Sequence, residues 1–145
     1  MVITGASSGI GLATALAVAE QGAKVALLAR SEETLERDCH EYRRRRGRAL
    51  AITLDGADRK AMEAAADQTF GRFGRIDTWI NNAGVAIYEK IEEIADEDNR
   101  RLFEANFWGV VYGSLAALPY LKQSWGRLDQ CGQRGFDAVG SLQGM

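Results

Sequence analysis

Three glycines near the start of the chain, Gly5, Gly9 and Gly11, separate a short apolar run from an alanine-rich segment. This order predicts a strand that turns directly into a helix. The free N–H groups and the dipole of a helix N-terminus attract anions, and phosphate is a natural ligand there. Small residues allow close approach to the backbone, and Ser7 and Ser8 add hydroxyl donors. The spacing therefore predicts a dinucleotide-binding turn; a glycine turn without a ligand is the plainer alternative.

A second candidate binding residue, Arg30, ends the next apolar run, "AKVALLAR". In dinucleotide-binding folds an acidic residue at this place binds the ribose hydroxyls of NAD. A guanidinium offers a planar fork to a 2′-phosphate instead. We therefore expect NADP as the cofactor, with NAD possible; an exposed arginine without a ligand is the competing interpretation.

Four apolar runs alternate with four segments of helical character, and this pattern must position those residues. The predicted strands are "MVIT", "AKVALLA", "ALAITLD" and "RIDTWI"; the helices follow them, the last over roughly Asp98 to Gln123. Alternation of this kind predicts an α/β fold, a Rossmann-type doubly wound parallel sheet with helices on both faces. Gly22 suits a helix C-terminus and Ser31 suits an N-cap.

Composition limits the possible partners of the chain. Its 145 residues, 46% of them apolar, suit one domain, and 18 basic against 20 acidic residues leave a net charge of −2. We expect no nucleic acid, no membrane span and no metal, because charge is balanced, no long apolar run is present and the only cysteines, Cys39 and Cys131, lie far apart. Scarce cysteines favour a cytoplasmic location.

Two motifs carry a resemblance to a known family. The segment "TGASSGIG" resembles the Thr-Gly-x-x-x-Gly-x-Gly fingerprint of the short-chain dehydrogenase/reductase family, and "NNAG" at 81–84 resembles its second signature. The resemblance extends to about Gln123. It implies an NAD(P)-dependent oxidoreductase that transfers hydride between NADP(H) and an alcohol or carbonyl substrate. It also implies the sheet order 3-2-1-4-5-6-7, of which this chain supplies the first four strands.

The resemblance assigns roles to individual positions. Asp55 would hydrogen-bond the adenine amino group, although Gly56 departs from the usual apolar neighbour and a turn cap is the alternative. Asn106 in "FEANFWG" would anchor a proton-relay water, the alternative being a satisfied core amide. The helix over 98–123 would form a homo-oligomer contact. The full set of expected cofactor residues is Gly5, Ser7, Ser8, Gly9, Ile10, Gly11, Arg30, Asp55, Asn82, Ala83 and Gly84.

The proton donor that the family implies, Tyr-x-x-x-Lys, does not occur in the sequence, since no tyrosine is followed four positions later by lysine. We therefore expect residues 1–127 to be a partial dinucleotide-binding domain, truncated and inactive alone. Residues 128–145 are expected to be an irregular tail. One permitted codon choice for 128–136, read one base later, encodes an apolar strand followed by serine, so a frame slip is expected there. The alternatives are a non-catalytic binding module and a nonfunctional gene fragment.

Overall fold

The structure is a computed structural model that describes residues 1–90 and 92–131. Its centre is a sheet of five parallel strands in the order β3-β2-β1-β4-β5. The strands are β1 (Val2–Thr4), β2 (Lys24–Ala29), β3 (Arg48–Thr53), β4 (Thr78–Asn81) and β5 (Arg127–Gln130). The change of direction on either side of β1 produces a crevice at the carboxyl ends of the strands.

Helices cover both faces of this sheet, as the doubly wound prediction requires. They are α1 (Gly9–Ala19), α2 (Glu32–Arg44), α3 (Arg59–Phe73), α4 (Asp96–Phe103) and α5 (Gly109–Ser124), with a π turn at Glu104–Trp108 between the last two. One core layer joins α1 and α2 to the sheet through side chains such as Ile3, Leu27 and Leu35. The opposite layer joins α3 and α5 through Met62 and Trp79, among others. The Rossmann-type α/β prediction is confirmed.

Local signals explain where the helices begin and end. The Ser31 hydroxyl accepts a hydrogen bond from the Thr34 N–H at 3.4 Å and caps α2. The Asp58 carboxylate caps α3 in the same way, through the Ala61 N–H at 3.1 Å. Gly22, just after α1, has φ 73°, the left-handed conformation that ends helices at low cost for glycine.

The sheet contains one strand more than the four expected, and this strand includes residues 128–130 of the expected tail. Residues 128–130 lie in β5, which pairs in parallel with β4 from Thr78↔Arg127 to Asn81↔Gln130. Ladder hydrogen bonds use only backbone groups, so the polar sequence "RLDQ" can occupy an edge strand. Its polar side chains pair with each other, since Arg127 and Asp129 form an ion pair at 3.1 Å. Residues 132–145, with most of the expected frame slip, lie outside the described residues.

The helix expected over 98–123 spans Asp96–Ser124 but contains the π turn Glu104–Trp108. A π turn adds one residue to a helical turn and shifts the faces that precede and follow it. Phe103 and Phe107 are 54% and 47% exposed, so the other described residues leave about half of each aromatic side chain on this helix uncovered.

Candidate functional site

A cleft of about 2000 Å³ opens at the carboxyl ends of the strands. The fold brings nearly all of the predicted cofactor residues to this cleft. Its walls include Gly5, Ser7, Ser8, Gly9, Ile10, Arg30, Asp55, Asn82, Ala83 and Gly84. Gly11 and Asn106 do not line the cleft; they lie behind it and support its walls, as described below.

The glycine turn from β1 to α1 is shaped by two close backbone approaches. A β-carbon on Gly5, whose φ is +64°, would lie 2.6 Å from the Ala83 Cα atom. A β-carbon on Gly11 would lie 2.4 Å from both the Asn82 side-chain nitrogen and the Gly5 carbonyl oxygen. No real β-carbon fits at such distances, so side chains at these positions would push the turn out of place. A β-carbon on Gly9, whose φ is +53°, would have no neighbouring atom within 4 Å, so this position faces open space.

The N-terminus of α1 lines the cleft and carries the positive end of the helix dipole. Within this helix, which the structure describes completely, the first turn carries no acidic residue and the N-cap Ser8 makes no side-chain capping bond. The N–H groups of the first turn and the Ser8 hydroxyl therefore remain available. This donor set, reached through a glycine turn, fits a phosphate or pyrophosphate group.

Thr4 and Asn82 join β1 to the segment after β4. The Thr4 hydroxyl accepts hydrogen bonds from the Asn82 and Ala83 N–H groups, both at 3.0 Å. The Asn82 side chain donates in return to the Thr4 and Gly5 carbonyl oxygens, at 3.1 and 3.0 Å. We call these four hydrogen bonds the Thr4–Asn82 clasp. Through the clasp, Asn82 ties the segment after β4 to β1. The contribution of Thr4 was not predicted, although a polar residue ending a buried strand is a signal for it.

A second buried amide, Asn81, connects the same strand to α5 and was also missed. Its side chain accepts from the Trp79 indole N–H and donates to the Ser114 hydroxyl, both at 3.0 Å. Ser114 in turn donates to the Val110 carbonyl oxygen at 2.7 Å. A buried polar network with its members paired fixes the position of α5 against β4.

Asn106 lies in the π turn, and its side chain is hydrogen-bonded to Val85 in the wall of the cleft. Its carbonyl oxygen accepts from the Val85 N–H, and its amide nitrogen donates to the Val85 carbonyl oxygen, each at 2.8 Å. This reciprocal pair satisfies both halves of the amide. The side chain therefore holds the segment that follows Gly84 against the helix, which is a positioning role.

Two of the predicted cofactor residues, Arg30 and Asp55, are charged and lie on the other side of the crevice. Arg30 follows β2 and is exposed. Asp55 follows β3, where one carboxylate oxygen accepts from the Ala57 N–H at 3.1 Å and its carbonyl accepts from the Asp58 N–H at 3.0 Å. Asp55 thus stabilises a turn, the alternative foreseen from the sequence, while its side chain still lines the cleft.

The described part of the chain offers few other chemical groups. Residues 1–90 and 92–131 contain no group of three His, Cys, Asp or Glu side chains that could hold a metal ion. In that same part of the chain, no helix has the length and apolar character needed to cross a membrane. The lining of the cleft includes two cations, Arg30 and Lys90, and four carboxylates, Asp55, Glu89, Glu92 and Glu93. The N–H donors and hydroxyls at the start of α1 favour an anionic group at that end of the cleft, such as the pyrophosphate of a dinucleotide.

Comparison with known proteins agrees with this geometry. A family model described as short chain dehydrogenase matches residues 1–129. The chain is 42% identical over 120 residues to the uncharacterized oxidoreductase YxnA of Bacillus subtilis (strain 168); the match covers 83% of this chain and 34% of YxnA.

Solved structures give the same answer. The alcohol dehydrogenase of the archaeon Thermococcus sibiricus, complexed with 5-hydroxy-NADP, is 35% identical with a TM-score of 0.84, over 89% of this chain and 55% of that one. An NAD+-bound xylitol dehydrogenase is 29% identical with a TM-score of 0.89, over 96% and 54%. The chain thus spans between a third and just over half of the proteins named here. The match over residues 1–129, together with the glycine turn and the "NNAG" segment in place around one cleft, shows that the chain belongs to the short-chain dehydrogenase/reductase family.

Proposed function

We propose that the cleft binds a nicotinamide dinucleotide, NADP in preference to NAD, for hydride transfer to or from an alcohol or carbonyl substrate. One observation carries the proposal: Gly5 and Gly11 leave no room for side chains beneath a helix N-terminus that has no acidic residue in its first turn. These two glycines let the turn pack against Asn82 and Ala83, and the open space at Gly9 lets a phosphate reach the N–H donors at hydrogen-bond distance.

The three parts of the ligand would lie on three different parts of the cleft. The pyrophosphate would lie on the first turn of α1, with Ser7, Ser8 and the backbone of Gly9 and Ile10 as donors. The adenosine half would lie over β2 and β3, the side of the crevice on which such folds bind it. The nicotinamide half would lie over β4 and β5, beside Ala83, Gly84 and the Val85 segment that Asn106 holds.

Arg30 supports the preference for NADP. It is exposed at the end of β2, the position where a side chain meets the adenosine ribose. Its fork of donors suits a 2′-phosphate, and a carboxylate there would repel that group. The related solved structures hold a form of NADP in one case and NAD in another, so they support a nicotinamide dinucleotide in general.

Bound NADP would supply the hydride acceptor or donor; the chain's own residues position it and exclude water. The proton that accompanies hydride transfer requires an acid matched to the substrate oxygen. The 145 residues contain no Tyr-x-x-x-Lys, and Asn106 uses both halves of its amide on Val85. We therefore propose that this chain alone binds the cofactor without turning over substrate, with Asn106 as a positioning residue.

Calorimetric titration of the purified chain with NADPH and NADH tests the proposal. Saturable binding with tighter affinity for NADPH, and no oxidation of NADPH when small aldehydes or ketones are added, is the expected result. No binding by folded protein contradicts the dinucleotide site. Turnover of a carbonyl compound contradicts the proposal that the chain lacks its general acid.

We also propose that the helix over 98–123 mediates self-association. Four aromatic rings form a ladder along it: Phe103 stacks on Phe107, Phe107 meets Trp108 edge to face, and Trp108 stacks on Tyr112, with centroids 4.9, 5.3 and 5.7 Å apart. Exposed apolar area of this kind marks interaction surfaces. Sedimentation equilibrium is expected to show an oligomer that Phe107→Glu dissociates; an unchanged mass contradicts the contact.

A further inference from the structure

Gly56 lines the cleft next to Asp55, and its backbone conformation does not require glycine. It is the second residue of a turn closed by the Asp58 N–H and the Asp55 carbonyl oxygen at 3.0 Å. Its φ is not positive, unlike those of Gly5 and Gly9. The second position of common turns accepts most residues, including bulky ones.

Packing does not require glycine at this position either. A β-carbon on Gly56 would have one neighbour within 4 Å, the terminal Cε atom of Met62 at 3.9 Å. That is an ordinary van der Waals contact with the flexible end of a side chain. The Gly56 backbone lies beside the start of α5, because a β-carbon on Gly109 would lie 3.4 Å from the Gly56 carbonyl oxygen. The wall of the cleft therefore has space for a side chain at position 56.

Position 56, which has no side chain, lies on the adenosine side of the crevice. Gly56 follows β3, and Met62, Asp55 and Val110 line the cleft with it. On the dinucleotide site proposed above, on which this inference rests, the adenine ring lies over β2 and β3. The opening beside Gly56 is then next to the ring.

We infer that Gly56 leaves a niche beside the adenine ring, so that the cleft accepts NADP whose adenine carries a substituent, and that residue 56 sets this tolerance. A valine side chain at position 56 would project from the wall of the cleft and fill the niche. It would gain dispersion contacts with an unmodified ring and would collide with a substituent on the ring.

The test compares the binding of NADP+ and N6-(2-aminoethyl)-NADP+ to the full chain and to Gly56→Val. The analogue adds a short chain to the ring and keeps one N6–H donor. We expect the wild-type chain to bind both within about threefold, and Gly56→Val to bind NADP+ at least as tightly as wild type while losing about tenfold or more for the analogue. Gly56→Ala should fall between the two.

Gly71→Val serves as the matched control, because Gly71 is exposed on α3 with nothing within 4 Å of its β-carbon position and does not line the cleft. It should leave both affinities unchanged. Binding of NADP+ with rejection of the analogue by wild type, or equal analogue binding by Gly56→Val, overturns the inference alone. A Gly56→Val chain that fails to fold contradicts the open space and overturns it too. A wild-type chain that binds neither nucleotide overturns the proposed function first.

Discussion

The Asn82 side-chain nitrogen lies only 2.4 Å from the position that a β-carbon on Gly11 would take, which leaves no room for a side chain at residue 11. The glycine in the first motif and the asparagine in the second are thus two sides of one contact. The glycine turn can keep its shape only if residue 11 has no side chain, and the Asn82 side chain then packs against the turn.

Gly11→Ala should therefore disrupt the turn. The methyl group would displace Asn82 and the Gly5 carbonyl, so we expect the free energy of unfolding to fall by about 1–3 kcal/mol, as for other overpacked sites. NADPH binding should weaken with it. Denaturant unfolding and calorimetry measure the two effects. Gly71→Ala, with open space around its β-carbon, should instead be neutral or stabilising by up to about 1 kcal/mol; equal losses in both variants would refute the steric explanation.

Thr4→Val tests the Thr4–Asn82 clasp. Valine has the shape of threonine but leaves the Asn82 and Ala83 N–H groups without their shared acceptor, at a residue that is 4% exposed. We expect a loss of about 1–3 kcal/mol in the free energy of unfolding, the usual cost of an unsatisfied buried donor. Thr4→Ser keeps the hydroxyl and should lose less. If serine costs as much as valine, the hydroxyl is not the stabilising group.

Arg30→Ala should reduce the preference for NADPH. Loss of a charge-assisted contact with the 2′-phosphate should weaken NADPH binding about tenfold. NADH lacks that phosphate, so its affinity is the internal control and should stay within about twofold of wild type. Because Arg30 is exposed, added salt should narrow the wild-type preference. Equal weakening of both nucleotides would show that Arg30 does not read the phosphate.

Asn106→Ala removes both hydrogen bonds to Val85. Amide hydrogen exchange should become faster at Val85, and the free energy of unfolding should fall by about 1–3 kcal/mol. Asn106→Asp can still accept from the Val85 N–H but cannot donate to the Val85 carbonyl when ionised, so its effect should be intermediate. Unchanged exchange at Val85 in the alanine variant would contradict the positioning role.

Tyr42 should make the fold sensitive to alkali. Burial raises the pKa of this fully buried phenol from 10.0 to about 12, and its hydroxyl donates to the Ala23 carbonyl oxygen at 3.1 Å. The fold therefore favours the protonated form, and this stabilisation is complete below pH 10 and lost as pH rises through about 12. Across that window wild type should lose about 2 kcal/mol more than Tyr42→Phe in denaturant unfolding. Parallel pH profiles would refute this.

The parts of the fold that the sequence predicts are those with local causes. Apolar runs and a glycine-spaced turn determine strand and helix within a few residues, and Ser31 and Gly22 mark helix ends by their own chemistry. All of the predicted cofactor residues except Gly11 line one cleft, because the carboxyl ends of parallel strands share one edge of the sheet.

The parts that were missed depend on contacts between distant segments. Strand β5 has no apolar alternation and exists because the free edge of β4 pairs with its backbone. Asn106 lies in the π turn, and its hydrogen-bond partner Val85 is 21 positions away in the sequence. Thr4 looks like an ordinary strand residue until Asn82 is brought beside it. None of these features is visible in a window of ten residues.

The Thr4–Asn82 clasp joins residues 78 positions apart in the chain. During synthesis, β1 and α1 leave the ribosome several seconds before β4, at roughly 5–20 residues per second. Until then β1 can pair with β2 but has no neighbour on its other side. The glycine turn therefore takes its final shape late, and one edge of β1 stays unpaired until β4 has been synthesised.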